Sequence, residues 1–215
     1  MEAELGLRER KKQQTRQALA DTARRLFAER GFEQVSVAEI ARAADVSVAT
    51  VFNYFPTKED LVYAGLERFE DELLAAIRDR PAGESALAAF GRFVLQPRGF
   101  LAAPEPEAAS ELLALTRTIA ASPALLAREH EIFARYTESL ARLLADDTGA
   151  SADDPLPAVA AAALIGVHRA LIAYVRERVR SADPDMGRLA RDTRAYGKRA
   201  LALLDDGLGT YAIRT

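Results

Sequence analysis

Apolar residues recur along this chain every three to four positions, the spacing that gathers them on one face of an α-helix, and no strand-like alternation competes. Residues 1–9 read as an arm. Leu19, Ala23, Leu26 and Phe27 then give a first helix, over about 10–30, a single apolar face, and Gly31 stands where a C′ glycine ends it. Residues 36–60 read as two short helices and the start of a third. Ser36 and Glu39 have the capping-box spacing, with Val35 and Ile40 placed as a hydrophobic staple. Ser47 caps the second helix, with Val46 and Val51 as its staple, and Thr57 caps the third. Ile40, Ala41 and Ala44 of the helix over 37–44, with Val51 and Phe55, predict a small three-helix core. Asp45, Val46 and Ser47 are the whole connection between the pair. A link that short forces a sharp crossing, the helix-turn-helix geometry that seats a second helix in a DNA major groove.

From Thr57 the pattern predicts one long helix to about residue 80, striped by Leu61, Val62, Leu66, Phe69, Leu73 and Ile77 and ~35 Å long at ~1.5 Å per residue. Pro81, Ala82 and Gly83 break it. Further helices are expected over 85–96 and 107–121, and from Pro123, capped by Ser122, to about 146. Two more cover 156–180 and 184–208. The fold class is all-α, with about nine helices. Residues 159–167 are apolar all round, so that helix must be covered on every side. Ala162, Gly166 and Ala170 stand four apart and let a facing helix approach closely. Tyr196, Ala200 and Leu203 belong to a second apolar stripe on the last helix. These stripes fit either an internal core or a second copy of the chain.

Composition narrows the classes. With 215 residues, 49% hydrophobic and 28% charged, the chain reads as a soluble globular protein. It has no cysteine, and two histidines, His130 and His168, leave little for a metal centre; no cofactor is expected. The N-terminus lacks a signal-peptide core, and the most apolar run, 156–175, contains His168 and Arg169, so it reads as a buried helix and not a membrane span. A cytoplasmic protein is expected. Net charge is −3, mildly against nucleic acid, but residues 8–25 hold seven basic side chains against Glu9 and Asp21, a local positive end suited to phosphates.

The run SVAEIARAADVSVATVFNYFPTKEDLV resembles the DNA-binding segment of the TetR family of transcriptional regulators, on Thr50, Phe52, Tyr54, Phe55, Lys58, Glu59 and Leu61. The likeness covers about residues 10–65. Asp45 departs from it, standing where the family commonly has glycine; Asp tolerates a positive φ less well than Gly, so a modest stability cost is expected. The resemblance implies a helix-turn-helix DNA-binding domain over 1–56 and a helical regulatory domain over 57–215, with 57–80 as the connecting helix. It implies that Val48, Ala49, Thr50, Phe52, Asn53 and Tyr54 face double-stranded operator DNA. It also implies a small-molecule effector bound among the later helices, where Phe90, Phe93, Leu113, Phe133, Tyr136 and His168 are candidates. Finally it implies a homodimer whose last two helices form a four-helix bundle, with Ala162, Gly166, Ala170, Tyr196, Ala200 and Leu203 as candidate contacts.

The residues themselves add detail. Val48 and Ala49 can touch only apolar groups such as a thymine methyl, Asn53 can pair with adenine, and no arginine, lysine or glutamine is present for bidentate base contact. Phosphate contacts and DNA shape are therefore expected to carry much of the affinity. Lys58 beside free helix amides suits a phosphate; Thr50, Tyr54 and Ser36 offer hydroxyls, and Lys11, Lys12 and Arg16 offer charge for the backbone or minor groove. The reading is a homodimeric, ligand-responsive regulator, a repressor, and not an enzyme. The alternatives are a sequence-tolerant architectural DNA binder and a dimeric sensor that has lost DNA binding. An enzyme in the later helices would need a nucleophile–base or metal constellation that the sequence does not offer.

Overall fold

The structure is a computed structural model that describes residues 6–102, 107–181, 185–208 and 213. Among these lie nine α-helices and no β-strand: α1 (Leu7–Arg30), α2 (Val37–Ala43), α3 (Val48–Tyr54), α4 (Leu66–Arg78), α5 (Ala86–Val94), α6 (Ala108–Ala121), α7 (Pro123–Thr148), α8 (Leu156–Ser181) and α9 (Met186–Leu208). Short 3-10 turns cover Glu59–Leu61 and Gly99–Leu101. The first helix starts earlier than its apolar pattern suggests, at Leu7, and residues 1–5 of the expected arm lie outside the described residues, as does Pro184, the expected start of the last helix.

The capping residues act as their spacing predicts. The Ser36 hydroxyl accepts from the Glu39 N–H and the Glu39 carboxylate accepts from the Ser36 N–H, a complete capping box. Ser47 Oγ accepts from the Thr50 N–H at 3.0 Å. Ser122 Oγ accepts from the Leu125 N–H at the start of α7.

The long helix expected over 57–80 is a correction. Thr57 and Asp60 cap each other, with the Thr57 N–H donating to Asp60 Oδ2 at 3.0 Å, but the chain then makes a 3-10 turn and irregular turns in place of a helix. The reason is Gly65, at φ 93°, a left-handed conformation that interrupts the helical ladder and that only glycine adopts without penalty. The regular helix is α4 alone, 13 residues ending at Arg78, or ~20 Å.

The chain gathers into two compact units. The first comprises the segment through Leu66 together with residues 114–129. Its core is Leu19, Ala23 and Phe27 of α1 with Phe32, Ile40, Val51, Phe55 and Leu61, all at most 4% exposed. Polar contacts tie in the 114–129 segment: the Tyr63 hydroxyl donates to Leu125 O at 2.8 Å, the Ser122 hydroxyl to Glu33 at 2.7 Å, and Arg128 pairs with Asp60 at 2.7 Å.

The second unit runs over 67–113 and 130–215. Here α9 packs on α8 and α5. Gly197 permits the approach, since a Cβ there would meet Leu95 Cδ2 at 2.5 Å. Arg80, buried, closes the 81–83 break by donating to Ile77 O at 2.7 Å and Glu84 O at 3.0 Å and by pairing with Asp147. By length and composition α8 could cross a membrane; a single such helix is weak evidence, and about a third of it, including Ala160, Ala161, Leu164, Ile165 and Leu171, is buried within the unit.

Candidate nucleic-acid interface and the aromatic cluster

The turn between α2 and α3 is set by Asp45, which takes φ 54° as a glycine would. Behind it, Glu39 is held down to about 2 by the Ser36 N–H, the Arg30 guanidinium and the Ser36 hydroxyl, so the capping carboxylate stays ionised. Val51 on α3 is 1% exposed and Phe55, its C-cap residue, 0%, and they fix the helix to the core. The opposite side is open. Val48 is 40% and Phe52 47% exposed, Ala49 and Asn53 are exposed, and Thr50 and Tyr54 are half-buried. The Thr50 hydroxyl lies 2.8 Å from Ser47 Oγ. Ser36 is exposed, its hydroxyl shared between the Glu39 N–H and carboxylate.

Two expected phosphate ligands hold the protein itself. Arg16 donates to Tyr54 O at 2.6 Å and lies 4.4 Å over the Phe55 ring, so a cation on α1 satisfies a carbonyl at the end of α3, where the helix dipole is negative. Lys58 donates to Phe32 O at 2.6 Å and sits 4.0 Å over the Phe32 ring. Burial lowers its pKa, and Glu33 and Glu59 work against that. Lys11 and Lys12 remain exposed on α1. One exposed cation escaped the sequence reading. Arg42, in the last turn of α2, makes no ion pair among the described residues. Glu39 stands three positions before it, but the capping box and Arg30, at 2.8 Å, take that carboxylate.

In the second unit, Phe93, Phe133, Tyr136 and His168 come together as a cluster of rings. Its centre is Phe69 of α4, which sequence reasoning left in a plain apolar stripe. Phe69 stacks on His168 at 4.6 Å and lies 5.4 Å from Phe93 and 6.0 Å from Tyr136, while Phe133 meets His168 and Tyr136 edge-on at 5.9 Å each. Burial drives the His168 pKa down to about 4, so its imidazole is neutral at physiological pH. The residue as a whole nonetheless keeps some accessible surface. Phe90 is fully buried. Leu113 lies apart, packed against a separate cluster of Ala108, Leu112, Val179, Met186 and Leu189. No group of metal-ligating side chains occurs among the described residues.

The candidate subunit contacts divide. Ala162 and Gly166 are exposed on α8, beside Val159 at 61%, and Leu203 on α9 is 83% exposed. Ala170 and Ala200 are half-buried, and Tyr196 stacks on Tyr174 at 4.5 Å within the chain.

A capped helix pair with a tight turn, a second helix anchored by two core residues and open on its other side, and an otherwise all-helical chain define the class of helix-turn-helix transcriptional regulators. Residues 19–64 match the bacterial regulatory proteins of the tetR family, and residues 98–208 match the MftR C-terminal domain. The chain belongs to the TetR family. It is 33% identical to the HTH-type transcriptional regulator TcmR of Streptomyces glaucescens over 69% of this chain and 67% of that one. It is 31% identical to the transcriptional regulator MftR of Mycobacterium tuberculosis over 77% and 80%. Among solved structures it shares its fold with NalD, the secondary repressor of the MexAB-OprM multidrug efflux pump in Pseudomonas aeruginosa, at a TM-score of 0.54 with 22% identity over 87% of this chain and 97% of that one. Members of this family are regulators and not enzymes.

Proposed function

We propose that the protein is a homodimeric repressor that binds a pseudo-palindromic operator through α3 and leaves it when a small molecule binds the second unit. The observation that carries this is the division of α3 into a buried row, Val51 and Phe55, and an open face, Val48, Ala49, Phe52 and Asn53, in a chain of this family. DNA contact is assigned to residues before 57, with Lys11, Lys12 and Arg42 at phosphates, and regulation to residues 57–215. The aromatic cluster supports an effector site centred on Phe69, Phe133 and His168. A ligand there releases DNA only if it binds better to the conformation whose reading helices are wrongly spaced. A cytoplasmic location follows from the DNA partner.

Dimerisation is supported by the apolar residues left open on α8 and α9, Val159, Ala162, Gly166 and Leu203. Covering Leu203 is worth ~1.5–3 kcal/mol. Sedimentation equilibrium should find the wild-type chain dimeric at micromolar concentration. Leu203→Glu should raise the dimer dissociation constant by about tenfold or more and weaken operator binding in a mobility shift in parallel. A wild-type monomer that binds the operator as tightly as the Leu203→Glu variant would contradict this reading.

A further inference from the structure

The exposed side of α3 is apolar where a DNA-reading surface is usually charged. Val48 and Phe52, four residues apart, form one row along the helix, and Ala49 and Asn53 form the next. Val48 is 40% and Phe52 47% exposed. None of these four side chains carries a charge, and among them Asn53 alone brings a hydrogen-bonding group; the Thr50 hydroxyl is engaged with Ser47 Oγ at 2.8 Å, and Tyr54 is half-buried. Two cations of the same unit are engaged elsewhere. Arg16 and Lys58 are each held by a backbone carbonyl of the protein at 2.6 Å.

A guanine edge in the major groove offers two acceptors and is read by arginine or lysine. This face has neither. The apolar group that a base edge presents there is the C5-methyl of thymine, and the amide of Asn53 matches the adjacent donor and acceptor of adenine. We infer that α3 selects thymine methyl groups, with Val48, Ala49 and Phe52 closing over them and Asn53 pairing with an adenine. Each operator half-site is therefore a short A·T run with its thymines in fixed register to Val48 and Phe52. This rests on the operator-binding reading above and names the chemistry by which that operator is chosen.

The full chain is used to select duplexes from a random library at fixed salt. The enriched duplex is then remade with deoxyuridine in place of one thymidine at a time. That change keeps base pairing and the O4 acceptor and removes only the methyl. Each contacted methyl should cost about fourfold in affinity, the equivalent of one buried methylene, while deoxyuridine outside the contacted run should cost nothing. With Phe52→Ala, an exposed position whose change leaves the core intact, the penalty should vanish at the thymine that faces Phe52 and persist at the one that faces Val48. Enriched half-sites carrying G·C at the contacted positions, or A·T half-sites indifferent to deoxyuridine, would overturn the inference and leave operator binding standing. Failure to enrich any sequence over random duplex would overturn both.

Discussion

Arg16 and Lys58 show what decides the use of a charge at the scale of single residues. Each belongs to a residue type and position that suits a phosphate, and each meets a backbone carbonyl at 2.6 Å beside an aromatic face. A charge-assisted hydrogen bond of this kind contributes ~1.5–3 kcal/mol when partly shielded. The partner of Arg16 stands 38 positions along the chain, a tertiary relation that residue spacing does not encode. His168 poses a different problem, because its neutrality makes stability depend on pH. Its folded pKa of about 4 lies below the ordinary 6.5, so the folded chain favours the neutral ring. The stability this contributes is complete above pH 6.5 and is lost as pH falls from 6.5 towards 4. Urea unfolding of wild type at pH 7.5 and at pH 5 should therefore differ by about 2 kcal/mol more than unfolding of His168→Phe does. An equal pH dependence in the two proteins would show that the imidazole is not desolvated.

Among the elements, the serine caps were legible and helix continuity was not. Ser36, Ser47 and Ser122 cap as their local sequence predicts, because a cap is a bond between residues three apart. The stretch from Thr57 carries an unbroken apolar stripe, yet the helix begins only at Leu66, because Gly65 takes a conformation that periodicity cannot register. The aromatic cluster was legible by halves for the same reason. Phe93, Phe133, Tyr136 and His168 stand out as aromatics, but their assembly around Phe69 depends on how α4, α5, α7 and α8 pack, and Leu113 belongs to a different cluster altogether. The α2–α3 turn offers a test at this scale. Asp45 at φ 54° carries the strain of a left-handed L-residue, which glycine would relieve at the expense of a more flexible unfolded chain. Asp45→Gly should raise unfolding free energy by about 0.5 kcal/mol; a loss of stability would mean that the aspartate side chain has a stabilising role in the turn.

For the whole molecule, net charge is a poor guide and the distribution of exposed groups a better one. The chain carries −3 overall, yet Lys11, Lys12 and Arg42 stay exposed in the unit that contains α3, and α3 itself is neutral. In the proposed homodimer the exposed apolar residues of α8 and α9 are covered, and a symmetric pair presents two reading helices to one duplex. Hydroxyl-radical footprinting of the full chain on the DNA flanking its own gene tests this most directly. Two protected patches should appear, related by a dyad and centred about one helical turn, ~34 Å, apart, and Phe52→Ala should weaken both together. A single asymmetric patch, or uniform protection with no preferred position, would contradict the account of two α3 helices held in register on an operator.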